Sequence, residues 1–293
     1  MATMTEAPTG VVGPTRRSER KVRWWAVVVW AIVGFFFLNL VALVASVVVD
    51  SFGTRWFGTW LPQGITTHWY SDAWRDFGLS HVLWVTLEVA VAVVVISLLI
   101  GVPASYALAR REFPGKRVVM LLFVLPILVP PITYGIPLAT LLYSLHLAGS
   151  MTGVILANLV PAVPFVILTM TPFIEQIDPK IESAARMCGA STRVIFTRVL
   201  TPLLIPGILA ASILVLVRTV GMFELTFLTA GPNSTTLVVS LYNAVFAAGI
   251  RANQSVDAMA SIYTGSMLVL LVIALRYVNP TQLVTRGSED VTE

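Results

Sequence analysis

Six stretches of this sequence are apolar over about 20 residues or more, and that succession constrains the fold more than any other feature. They lie near Trp24 to Val49, Leu83 to Leu108, Val118 to Leu142, Gly153 to Phe173, Leu203 to Phe227 and Ala258 to Val278. A helix rises about 1.5 Å per residue, so about 20 apolar residues carry it across a hydrocarbon core roughly 30 Å thick. The runs are continuous, whereas a β-barrel wall would alternate lipid-facing and lumen-facing residues. Hydrophobic residues make up 57% of the chain and charged ones 12%, about half the charged share of an average soluble domain. The expectation is an all-α membrane protein with six transmembrane helices.

The positions of Lys and Arg predict the orientation. With the amino terminus inside, the cytoplasmic segments receive 15 of the 19 basic residues, including Arg16 to Arg23, Arg110 to Arg117, Lys180 to Arg198, Arg276 and Arg286. Only Arg55, Arg75, Arg218 and Arg251 fall in outer loops or outer helix halves, as the positive-inside rule requires. Both termini are therefore expected in the cytoplasm. The net charge of +4 reports topology; dispersed over four loops, it makes no nucleic-acid surface. Trp24 to Val49 is too long for a signal-peptide core and reads as a retained helix. The domain expectation is a disordered cytoplasmic tail over 1–22, a six-helix transmembrane domain over 23–279 and a second cytoplasmic tail over 280–293. The single Cys188 makes no internal disulfide and no redox or metal motif.

Between the fourth and fifth runs lies a polar island, Glu175 to Pro206. A bilayer protein that answers to a soluble motor needs a short, small-residue helix at the cytoplasmic surface, followed by a bend. Ala184 and Ala185 would let a partner surface approach closely, and Gly189 would release the backbone at a helix end. Arg186, Arg193 and Arg198 keep the segment in water or against anionic headgroups. The coupling helix is predicted over about 178–193, the docking residues being Glu182, Ser183, Ala184, Ala185, Arg186, Gly189 and Ala190.

That island, with Ala184-Ala185, three residues, Gly189, nine residues, Val199 and then Pro202, resembles the coupling motif of ATP-binding-cassette importer permeases. Ser183 stands where the family pattern has Glu. Glu182 comes one position earlier, as in the sugar-importer version Glu-x-Ala-Ala-x-x-Asp-Gly-Ala, whose Asp is here Cys188. The likeness extends from about Trp25 to Val278. Ala104 to Arg110 with Phe113-Pro114-Gly115-Lys116 is similar to the end of a core helix in carbohydrate and polyamine importer permeases. Leu228-Thr229-Ala230-Gly231-Pro232 resembles the sugar branch, and Asp257 to Ser261 the polyamine branch.

The resemblance implies a type I importer permease fold and a non-catalytic subunit forming half of a translocation pathway. Its implied solute is a sugar, sugar alcohol or related polar solute, with a polyamine as the alternative. The implied partners are two ATP-binding subunits, a second and different permease subunit, an extracytoplasmic solute-binding protein and membrane lipid, in a bacterial inner membrane. No cofactor or metal is implied. The chain has no Gly-x-x-x-x-Gly-Lys-Ser/Thr loop, so the motor is another polypeptide.

Polar residues inside the runs are candidates for the path: Glu88, Thr133, Tyr134, Asn158, Thr169, Thr219 and Glu224. Glu88 either faces a protein interior or water cavity, or snorkels to the interface; the others either line the path or bond between helices. Pro126, Pro130, Pro131 and Pro137 interrupt the third run, freeing carbonyls or shaping packing. The Trp-rich Ser51 to His81 reads as an outer interfacial element, or as a contact for a binding protein. Gly221 to Val256, with its Gly231-Pro232-Asn233 turn signal, reads as re-entrant. An ion-coupled secondary transporter would need carboxylates in broken helices and inverted repeats, and only Glu88 and Glu224 qualify, with no repeat. A membrane enzyme would need a His–Asp or Ser cluster at one depth, and none is visible.

Overall fold

The structure, a computed structural model, describes residues 24–56, 59–246 and 252–277. Both predicted tails lie outside the described residues. The chain divides into two compact units that meet in sequence between Ser46 and Val47. In the first, helix α1 (Trp24–Phe52) begins, its aromatic side chains exposed: Trp24, Trp30 and Phe35 to Phe37 all stand open, as suits a surface solvated by lipid. The rest of the chain forms the second unit.

Among the described residues, five helices are long and apolar enough to cross a membrane. They are α1, α3 (Leu79–Arg110), α6 (Met151–Glu175), the continuous Thr192–Val220, and α12 (Asn253–Tyr277), which qualifies over Asn253–Ile273. A sixth crossing exists if one bent pair is counted as a single span. The third apolar run, expected as one helix, is that pair: α4 (Lys116–Leu128) and α5 (Pro131–Ser144) meet at 97°. The cause is local. Val129 and Pro130 each precede a proline, whose ring disfavours the helical basin for its predecessor; both are extended, with ψ 132 and 133°. Pro126 and Pro137, by contrast, remain inside their helices.

The fifth run also departs from expectation. Its helix starts earlier, with α8 (Thr192–Val194) passing through a π-helical turn (Ile195–Leu200) into α9 (Thr201–Val220). Pro202 has no N–H to return to the preceding turn and its ring presses on the carbonyl four residues back, so a widened turn ahead of it relieves both problems. At the other end the helix stops at Val220, and α10 (Glu224–Thr229) starts anew.

The core is built where α3, α6 and α9 pack together. Val89, Val93, Val166, Met170, Ile174, Leu204, Ala211 and Val215 form its centre, each at most 2% exposed. Gly101 sets the spacing between α3 and α6, since a Cβ there would lie 2.5 Å from Val166 Cγ1. Small residues at such crossings let backbones approach in a bilayer, where exclusion from water no longer drives association. Ser105 uses that proximity, donating to Gly101 O at 2.6 Å and lying 3.3 Å from Ile167 O across the interface.

A second cluster closes the opposite end from Arg110. There a short antiparallel pair, β1 (Gly53–Arg55) and β2 (Gln63–Ile65), leads into the amphipathic α2 (His68–Asp76). Trp69 donates to Gly53 O at 2.8 Å, so it is a structural residue, whereas Trp60 and Trp74 are exposed like interfacial anchors. The segment after α10 folds back as the sequence suggested. Ser234 N returns to Gly231 O at 3.0 Å to close the turn, and α11 (Leu237–Phe246) buries Leu237, Val239 and Ala244. Leu237 N donates to the buried Thr86 hydroxyl at 2.8 Å, tying this segment to α3.

Candidate functional site

The polar island folds into α7 (Pro179–Met187), shorter than the 178–193 expected. Its limits follow from its ends. Asp178 is the N-cap, accepting from Lys180 N at 2.9 Å, and Pro179 occupies the first helical position, where a missing N–H costs nothing. At the other end Gly189 adopts φ +83°. Ala190 N then reaches Ala185 O at 3.0 Å and Gly189 N reaches Arg186 O at 2.9 Å, the paired bonds of a Schellman cap. Ser191, whose hydroxyl accepts from Val194 N, restarts the helix two residues later. Arg193 and Arg198 consequently belong to the next helix and not to α7.

Glu182 corrects the expectation most. Grouped by sequence with the docking residues, it is only 4% exposed and points into the protein. Arg110, at the end of α3, donates through Nε to Glu182 Oε1 at 2.7 Å, and its second nitrogen donates to Ile177 O at 2.7 Å. Tyr106, one turn back on α3, donates to Glu182 Oε2 at 2.7 Å. The Phe196 ring of the π turn meets the Tyr106 ring edge-on at 5.6 Å. The last turn of α3, the middle of α7 and the π turn therefore converge on one charged group. Charge-assisted bonds to both carboxylate oxygens fix its orientation.

The opposite face of α7 is open. Ser183, Ala184, Arg186 and Gly189 are exposed, joined by Met187 at 84% and Ile181, while Ala185 and Ala190 are half-buried against the core. Met187 had not been singled out. An unbranched apolar side chain standing in water on a small-residue helix is a feature of contact surfaces.

The predicted path residues do not form one group. Asn158 and Thr219 are buried within the chain, and Asn158 donates to Val154 O and Thr226 Oγ1, tying α6 to α10. Thr169 is half-buried on α6, Thr133 is exposed on α5, and Glu88 is exposed on α3 beside Trp84, Leu87 and Val91. Arg218 and Glu224 both lie within electrostatic reach of the Tyr134 hydroxyl. Arg218 was read only as a topology marker. As a cation inside an apolar run it carried a second signal, and its guanidinium sits 5.5 Å from the centroid of Phe165. Tyr134 Oη is buried with no hydrogen-bond partner among the described residues. Next to Glu224, Phe223, Phe227, Tyr242 and Phe246 form a ladder of rings with successive centroids 4.4 to 5.2 Å apart, Phe223 half-buried and the other three exposed.

Known proteins share this fold. Residues 101–283 match the family described as binding-protein-dependent transport system inner membrane component. The chain is 31% identical over 198 residues to the trehalose transport system permease protein SugB of Mycobacterium tuberculosis, an alignment covering 68% of this chain and 72% of that one. It is 27% identical over 257 residues to the spermidine/putrescine transport system permease protein PotC of Escherichia coli, covering 87% and 91%. Among solved structures it superposes with a TM-score of 0.74 on a chain of a bacterial ABC transporter involved in the import of the acidic polysaccharide alginate. That match has 21% identity and covers 90% of this chain and 99% of the other.

Proposed function

We propose that this chain, which belongs to the family of binding-protein-dependent transport system inner membrane components, forms half of an import path for a sugar or related polyhydroxylated solute. ATP is hydrolysed elsewhere, by two partner subunits, one of which docks on α7. The observation that carries the coupling role is the two-sided character of α7: one face held to α3 through Glu182, the other small, exposed and free to meet a partner. Closure of an ATPase dimer would push on Ser183, Ala184, Met187 and Gly189. The Glu182 bonds would pass that displacement to the base of α3, a rigid-body transmission of the kind alternating access requires.

The solute assignment rests on the identity with the trehalose permease and on the group around Glu224. Aromatic faces next to a carboxylate and an unpaired phenol suit a ring that offers C–H bonds on its faces and hydroxyls on its edge. A polyamine is the second reading, favoured by the longer alignment with the spermidine/putrescine permease and by the carboxylates of Glu88 and Glu224. The path would be completed by a second, different permease subunit and fed by an extracytoplasmic binding protein. Purification of the tagged chain from its native membrane should recover all these partners, and the recovered binding protein should bind a sugar in calorimetry. Binding of spermidine with no response to sugars would replace the first reading with the second.

Both termini are assigned to the cytoplasm from the distribution of Lys and Arg. A phosphatase reporter, active only outside, should be active when fused after Gly149 and silent after Arg193. The reverse pattern would invert the topology.

A further inference from the structure

We propose that a groove between α4 and α6, at the same end of the molecule as α7, binds an anionic phospholipid. The groove has a volume of about 880 Å³, and its wall is made chiefly by Phe113, Leu121 and Val124 with Leu168 of α6 opposite. Lys116 and Arg117 also line it, at the start of α4, six residues after the Arg110 that anchors α7. Arg117, Leu121 and Val124 are spaced as one face of a helix, so the groove runs along α4 from a basic mouth into an apolar trough. From Arg117 to Val124 that trough is about 10 Å long, the length of the upper part of an acyl chain.

Charge selects the occupant. The Lys116 ammonium is met by Glu112 at 2.8 Å, but the Glu112 side chain is 87% exposed, and such a surface pair is weak. Arg117 is exposed and makes no ion pair among the described residues. The mouth thus keeps a free guanidinium above an apolar wall on a membrane-crossing chain. A helix of a partner permease seated here would have to bury that cation against hydrocarbon, which is costly. An anionic lipid supplies the phosphate at the mouth and the chain along the wall, with the Arg stem lying on the apolar surface. The inference depends on membrane embedding and not on which solute is carried.

The test uses the purified, delipidated importer complex, titrated with phosphatidylglycerol or with phosphatidylcholine of the same chains and followed by native mass spectrometry. The intact complex should take up one phosphatidylglycerol per copy of this chain about fivefold more tightly than phosphatidylcholine, the effect of one cation near an anionic headgroup. Arg117→Gln should abolish the preference while leaving weak binding of both lipids. Leu121→Trp, which fills the trough and keeps the charge, should remove binding of both at this site. An unchanged preference in Arg117→Gln, or undiminished binding in Leu121→Trp, would overturn the assignment. So would ready disulfide cross-linking of Leu121→Cys to a cysteine on the second permease, which would show a protein neighbour in the groove.

Discussion

An importer carrying Arg110→Met should still hydrolyse ATP but lose solute uptake by about tenfold or more, the effect of roughly 1.4 kcal/mol lost from the coupled state. The substitution keeps an unbranched apolar stem and removes the guanidinium with its charge. Glu182 would remain 4% exposed, with only Tyr106 and the distant Arg186, at 3.8 Å, to offset it. Removing one member of a buried ion pair typically costs about 3–5 kcal/mol, because the other charge stays desolvated. The cheapest relief is for α7 to swing Glu182 into water, which breaks the link to α3 and leaves the ATPases cycling without effect. The double variant Arg110→Met with Glu182→Leu separates two causes. Apolar replacement of both members of a buried pair is often neutral for stability, so the double variant should assemble as well as the parent. If packing alone holds α7, its uptake should recover; if orientation of the carboxylate matters, it should not. Wild-type uptake by Arg110→Met would mean that motion reaches the membrane helices by another route.

Gly189→Val should be nearly as damaging, for a reason unrelated to crowding. Nothing lies within 4 Å of where a Cβ would stand. The cost comes from the backbone: φ is +83°, a region in which a non-glycine residue loses about 1–2 kcal/mol and a β-branched one more. The Schellman bonds from Ala190 and Gly189 would open, and the chain would leave α7 in a new direction toward Ser191. Gly189→Asn is the discriminating control, because Asn enters left-handed conformations readily. Uptake should therefore fall most in Val, less in Ala and least in Asn. Equal loss in Val and Asn would shift the explanation to close approach by a partner surface, and unaltered uptake in Val would remove Gly189 from the coupling element.

The parts of this architecture that were legible in the sequence are those encoded locally. Apolar runs marked the helices, and Gly231-Pro232-Asn233 marked its turn. Gly189 marked the end of α7 because the requirement for positive φ is a property of one residue. The right-angle bend was written in Val129-Pro130-Pro131, but a count of apolar residues blurs it, since proline scarcely interrupts hydropathy. The inward turn of Glu182 could not be read the same way. Its partners stand 72 and 76 positions earlier, on a helix placed by its packing on α6 through Gly101 and Val166. A polar helix of nine residues does not declare which of its polar groups faces in. Arg218 was missed for a different reason, as one signal, its contribution to topology, masked another.

The Glu182 junction also limits how such a subunit can be re-engineered. Exchanging the loop 178–191 between permeases, to make one answer to another's motor, moves the visible half of a joint whose socket is Tyr106 and Arg110. A chimaera built by cutting at the ends of the polar island would pair a foreign tenon with a native mortise. Modularity here runs across the sequence rather than along it, and the smallest interchangeable part is a discontinuous one.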